Sequence, residues 1–171
     1  MLAFSAVLGA GVALGAGDEP AVSQRSAPAR PRSAACTARG ADVTVALAYD
    51  AVTIGHLSAT YVDLVFHTPL SLPGETRELR DRVTTLLPQG TRVGPPTLEN
   101  KRLRVALASS VQPIPPGDAV KIRFDCPSGS RLEPGALSCQ TAESTGPSGE
   151  PLHDDLARGV RCVVKLDPEA R

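Results

Sequence analysis

The chain has 171 residues, enough for one domain with a single core once its poorly apolar stretches are set aside. Eighteen basic residues balance eighteen acidic ones to a formal net charge of zero, so no net field draws the chain onto nucleic acid or an anionic membrane. Aromatic residues make up only 3% and tryptophan is absent, which removes the stacking platforms for bases and most of those for sugar rings.

The opening run, "MLAFSAVLGAGVALGA", is apolar, small and uncharged until Asp18, and shorter than the roughly 20 residues a membrane-spanning helix needs. It reads as the apolar part of a secretory signal peptide over residues 1–16, with small residues around Leu14 where a signal peptidase inspects the chain. No Lys or Arg precedes the run, so an upstream start is expected. Residues 17–35 are Pro, Ala, Ser and Arg with little to bury, the composition of a disordered linker.

From Cys36 to residue 167 a period-2 pattern predicts strands, with a tail at 168–171. Val43, Val45, Leu47 and Tyr49 alternate with small or polar residues, and so do Val62, Leu64 and Phe66. "GETRELRDRVTTLL" breaks the rhythm by setting Leu79, Val83 and Leu86 at helical spacing, which predicts a short helix near residues 75–87. Leu103, Val105 and Leu107 form the next alternating run. After the corner "QPIPPG" comes another, with Val120, Ile122 and Phe124 on one face and Lys121, Arg123 and Asp125 on the other. Val160, Cys162, Val164 and Leu166 complete the set. This much alternation predicts an all-β sandwich of two sheets that cover each other.

Four cysteines, Cys36, Cys126, Cys139 and Cys162, behind a signal-like start predict two disulfides and an oxidising compartment. No C-x-x-C pair is present to suggest zinc. Four cysteines allow three pairings. Cys126 and Cys162 continue the apolar faces of their strands and Cys139 alternates with Leu137 early in the strand after Cys126, which favours Cys126 with Cys139 and Cys36 with Cys162. The rival considered is Cys126 with Cys162 and Cys36 with Cys139.

Catalytic signals are weak. His56, His67 and His153 are the only histidines, and nothing like G-x-S-x-G accompanies them. "HDDLARG" gathers His153, Asp154 and Asp155 in what reads as a loop, but it lacks the D-x-D-x-D-G rhythm of a calcium loop. No catalytic residue, cofactor or metal is assigned. Lys101, Arg102 and Arg104 are placed on the outer face of a strand, as solubilising charge or as part of a partner surface.

The order of "VTVALAYD", "ATYVDLVFHTPLSL", "NKRLRVALASSVQPIPPGDAVKIRFDC", "GALSCQTAESTGPSGEPL" and "GVRCVV" resembles a cohesin-type domain over residues 42–166. It is most similar to the cysteine-bearing cohesin-like domains of exported bacterial proteins, and the most specific stretch runs from Leu103 to Cys126. The resemblance implies a nine-stranded jelly-roll sandwich, related in fold to carbohydrate-binding modules, whose cellulosomal members bind dockerin domains through one flat sheet face. No dockerin-contacting residue matches one by one, so none is carried over.

Two functions are expected from these observations. The first is a non-catalytic, secreted or cell-envelope interaction module, binding a protein partner (dockerin-like or an envelope protein) or a polysaccharide through a sheet face or loop rim. The alternative is a structural domain of an envelope or extracellular assembly with no small-molecule ligand. Exposed apolar groups clustered with the outward positions Tyr61, Asp63, Lys121, Arg123 and Asp125 would favour the first, and a polar, featureless face the second.

Overall fold

Short alternating runs can bury their apolar faces only against one another, and the computed structural model shows how nine of them do so. Residues 35–133 and 135–166 are described, all within the unit Pro31–Arg171. The signal-peptide reading, nearly all of the expected linker and the tail lie outside the described residues. Ala35, assigned to the linker, already bridges to Arg131, so the folded domain includes it.

The nine strands are β1 (Ala41–Ala48), β2 (Ala59–Phe66), β3 (Val83–Thr85), β4 (Thr91–Val93), β5 (Thr97–Glu99), β6 (Arg102–Ser109), β7 (Gly117–Phe124), β8 (Leu137–Thr145) and β9 (Arg161–Leu166). They form two antiparallel sheets, one ordered β3-β7-β1-β9 and the other β4-β6-β2-β8 with β5 also paired to β6. The chain is thus an all-β sandwich. β1, β2 and β3 alternate between the sheets, as do β6, β7, β8 and β9, so each apolar run meets its complement across the core.

The inward residues are those the alternation marks. Val43, Val45 and Leu47 of β1, Val62, Leu64 and Phe66 of β2, Leu103, Val105 and Leu107 of β6, and Val120, Ile122 and Phe124 of β7 are all buried. Phe66 and Phe124 meet edge to face across the two sheets with ring centroids 5.1 Å apart. "QPIPPG" is the corner that carries the chain from β6 in one sheet to β7 in the other. Ile114 anchors it, fully buried, with its N–H donating to the Leu57 carbonyl at 2.8 Å. Gly117, at φ +122°, supplies the conformation needed to enter β7.

Two expectations are corrected. The helix expected over 75–87 is a single short turn, α2 (Thr76–Asp81), which buries Leu79. Val83, Thr84 and Thr85 instead form β3 against β7, where β-branched side chains lose less rotamer freedom than in a helix. Leu86 is left exposed while Leu87 turns inward.

The disulfides are Cys36–Cys126 and Cys139–Cys162, the one pairing of the three not considered above. β1 pairs with β7 so that Ala41 faces Phe124, which brings Cys36, just before β1, to Cys126, just after β7. Cys139 lies on β8 and Cys162 on β9, the outermost strands of opposite sheets on the same side of the sandwich. Cys126 and Cys139 are close in sequence but belong to different sheets. The loops closed by these bonds span separations of 90 and 23 residues. Restriction of the unfolded chain scales with loop length and gives about 4.6 and about 3.4 kcal/mol respectively.

Non-reducing tryptic mapping should recover peptide 33–39 linked to 124–131, and 132–158 linked to 162–165. A 124–131 peptide joined to either of the latter two contradicts this connectivity. Phe124→Ala should cost about 3–5 kcal/mol in urea denaturation, because the fully buried ring packs against Phe66 between the two sheets.

Candidate functional site

Most of the charged residues at the outward sheet positions are engaged with one another. On the five-stranded sheet Asp63 of β2 stands opposite Arg104 of β6, and the guanidinium donates to both carboxylate oxygens at 2.7 and 2.9 Å. Arg104 also lies 5.2 Å over the Tyr61 ring and 3.9 Å from Glu143. Asp63 is 1% exposed although it points away from the core, because its neighbours roof it over. The Arg104 hydrogen bonds hold the Asp63 carboxyl below its ordinary value of 3.8, against the opposing effect of burial.

The four-stranded sheet is neutralised in the same way. Arg123 donates to Asp42 at 3.0 Å, Lys121 lies 3.4 Å from the same carboxylate, and Lys165 pairs with Asp118 at 2.5 Å. Asp42 is held below its ordinary value chiefly by the Arg123 hydrogen bond. Just past β7, Asp125 pairs with Arg82 at 2.8 Å. Thr44 and Ala46, small residues on the central strand β1, are buried beneath their longer neighbours. The outward positions named from the sequence therefore form ion-paired ladders rather than an apolar patch, with Val163 the exposed large apolar residue on this face.

The two ends of the sandwich differ. At one end the Cys36–Cys126 bond is reinforced by Cys36 N–H donating to the Ser130 carbonyl and Gly129 N–H to the Cys36 carbonyl, both at 2.8 Å. Ser71 and Asp125 exchange backbone hydrogen bonds at 2.9 and 3.0 Å. Gly40 packs so closely there that a Cβ would lie 2.0 Å from the Phe124 carbonyl oxygen. This end is stapled shut.

The opposite end carries the loops 49–58, 86–90, 110–116 and 146–160. Their bases are tied: Ser58 N–H donates to the Thr145 carbonyl at 2.9 Å, Ser109 N–H to the Ser58 carbonyl at 2.8 Å, and the Tyr49 hydroxyl to the Ile114 carbonyl. Two of them carry helices that sequence reasoning missed, α1 (Ala51–Ile54) and α3 (Asp154–Gly159). Asp50 caps α1, accepting from the Val52 N–H at 3.0 Å and from the Thr53 hydroxyl. These bonds, the hydroxyl's first, hold its carboxyl below the ordinary value. The signal was present in "DAVT", an Asx cap before a helix too short to show periodicity.

Between α1 and α3 lies a cleft of about 310 Å³ lined by Ala48, Tyr49, Ile54, Leu156 and Gly159, with Asp50, Asp155 and Arg161 also on its wall. Exposed large apolar side chains concentrate at this end. Val52 on α1 is 92% exposed, Val111 78% and Leu86 44%, and all three sit on these loops. Among the described residues no large apolar side chain is exposed on the loops of the stapled end.

The other sequence candidates are dispersed. His56 and His153 lie on loops of the open end and His67 at the stapled one. Asp154 and Asp155 occupy the first turn of α3, not the loop expected; both are exposed beside the helix N-terminus, and Asp155 borders the cleft. Among the described residues no group of three or more His, Cys, Asp or Glu is gathered to hold a metal. Nor do the four aromatics of the folded region make a platform. Phe66 and Phe124 are buried, Tyr49 is tied to Ile114, and Tyr61 lies beneath Arg104. Among the described residues no helix is long and apolar enough to cross a membrane. Compared with known protein families, curated proteins and solved structures, the chain matches none.

The Asp63–Arg104 pair gives a pH prediction. A carboxyl whose folded pKa is depressed adds stability that is present above its unfolded pKa of about 4 and is lost as pH falls through the folded value. Wild type should therefore exceed Asp63→Asn in denaturant midpoint at pH 7, and the gap should narrow as pH is lowered from 4 towards 2. A gap independent of pH contradicts the pairing.

Proposed function

We propose that this domain is an exported, non-catalytic interaction module that engages a protein partner through the loop rim at its α1–α3 end. The carrying observation is the concentration of Val52, Val111 and Leu86 at the end that also bears the cleft, while the sheet faces are largely occupied by internal ion pairs. Exposed apolar side chains next to a concavity are what a partner's own apolar groups can desolvate. Two disulfides support an oxidising compartment.

A protein partner is favoured over polysaccharide because no coplanar aromatics face solvent among the described residues. The cohesin-like pattern of the sequence agrees with a binding role and is part of the proposal. The loop rim then takes the place of the flat sheet face that such a resemblance implies. A purely structural domain is the second reading, favoured by the ion-paired sheet faces.

The test compares immobilised wild type with Val52→Asp/Val111→Asp, both exposed to the source organism's envelope fraction. These substitutions at exposed sites should leave the unfolding free energy within about 0.5 kcal/mol of wild type. A protein retained by wild type and lost from the variant is the expected result. Equal retention by the two, or retention by neither, favours the structural reading.

A further inference from the structure

We propose that the cleft between α1 and α3 receives one apolar side chain from a basic segment of the partner protein, whose flanking lysines or arginines meet the acidic rim around it. This rests on the open end being the binding end, and adds the chemistry of what binds there. The chain as a whole has no net charge, but its charges are unevenly placed. The loops 49–58, 86–90, 110–116 and 146–160 carry four acidic side chains, Asp50, Glu150, Asp154 and Asp155, against one basic side chain, Arg158.

Two of those acids line the cleft itself, Asp50 ahead of α1 and Asp155 within α3, and Arg161 is the one cation on its wall. The Asp50 carboxylate accepts from the Val52 N–H and the Thr53 hydroxyl, bonds that fix it in place and keep it charged. Its remaining lone pairs are open to a cation. Asp155 is 3.9 Å from Arg158, with both side chains almost fully in solvent, so this loose pair yields readily to an incoming lysine or arginine.

Between the charges the lining is apolar, formed by Ala48, Tyr49, Ile54 and Leu156. The volume of about 310 Å³ lies at the small end of ligand sites, which span roughly 300–1,000 Å³, and suits a single large side chain. Gly159 keeps that space open. A Cβ there would already touch Ile54 Cδ1 at 3.5 Å, so a longer side chain would occupy the gap between the helices. An apolar anchor can therefore be desolvated by the lining while cations beside it find carboxylates at the mouth. The same charge repels nucleic acid, anionic lipid and the open end of a second copy.

Three acetylated and amidated pentapeptides serve as probes: Lys-Lys-Phe-Lys-Lys, Lys-Lys-Ser-Lys-Lys and Glu-Glu-Phe-Glu-Glu. Each is titrated into the isotope-labelled, oxidised full chain and followed through backbone amide shifts. The first should shift the amides of 50–54 and 154–159 saturably, and bind roughly tenfold more tightly than the second, which lacks the anchor. The third should leave those amides unmoved. Asp50→Asn/Asp155→Asn should weaken the first peptide roughly fivefold, and Asn preserves the cap of α1. Arg161→Gln should tighten it roughly twofold, a change of opposite sign that damage to the fold would not produce. The proposal is overturned if the acidic peptide moves the same amides as strongly, if serine replaces phenylalanine without loss, if the two variants shift affinity in the same direction, or if no peptide reaches the cleft. The reading of the open end fails separately, when Val52→Asp/Val111→Asp keeps the envelope protein that wild type retains. Loss of that protein from Val52→Asp/Val111→Asp but not from Asp50→Asn/Asp155→Asn leaves the binding end standing and overturns its basic partner.

Discussion

The antiparallel pairing of β1 with β7 is the constraint from which the other features follow. β1 lies at the interior of its sheet, between β7 and β9, and contributes Val43, Val45 and Leu47 to the core. Once Ala41 faces Phe124, the chain before β1 and the chain after β7 must meet, and Cys36 and Cys126 bond there. The remaining cysteines are then left on β8 and β9, whose positions at matching edges let the second disulfide link the sheets. The same pairing sets Leu47 opposite Gly117, which brings the loops 49–58 and 110–116 together on the far side as part of the open rim.

Burial on the outward faces is explained by sheet position. Asp63 and Thr44 occupy interior strands, so longer side chains on flanking strands lean over them, and both are almost inaccessible while pointing away from the core. For Asp63 this is tolerable because Arg104 satisfies both oxygens, and an unpaired carboxylate there would be costly. Such faces hold their shape through reciprocal charge pairs and leave little apolar surface for a partner, in contrast to the tips bearing Val52 and Val111.

Much of the sandwich was legible because alternation is a local signal. Every inward position read from the runs at 43–47, 62–66, 103–107 and 120–124 is buried. What escaped the sequence is non-local or too short to be periodic. β4 and β5 have three residues each and α1 has four. The 75–87 segment satisfied a helical spacing, but its Val-Thr-Thr run had an edge of β7 available, and only tertiary pairing decides between the two. Disulfide connectivity failed for the same reason, since strand order across two sheets is not written in sequence separation. Of the candidate site, the three histidines and the acidic "HDD" drew attention by residue type, whereas the features that distinguish the open end are exposed valines, which carry no chemical signature until their surroundings are known.

The two ends of the sandwich are asymmetric: one is stapled by Cys36–Cys126, and the other presents apolar loop tips around a cleft. Site-specific photo-crosslinking tests it most directly. A photoreactive residue would be placed in turn at Val52 and Val111 on the rim, at Arg102 on the sheet face, and at Ser71 and Gly129 on the stapled end, each in the oxidised chain presented to envelope material. The account predicts a discrete crosslinked protein from Val52 and Val111 and none from the other three. Crosslinks arising chiefly from Arg102, or equally from both ends, would contradict it.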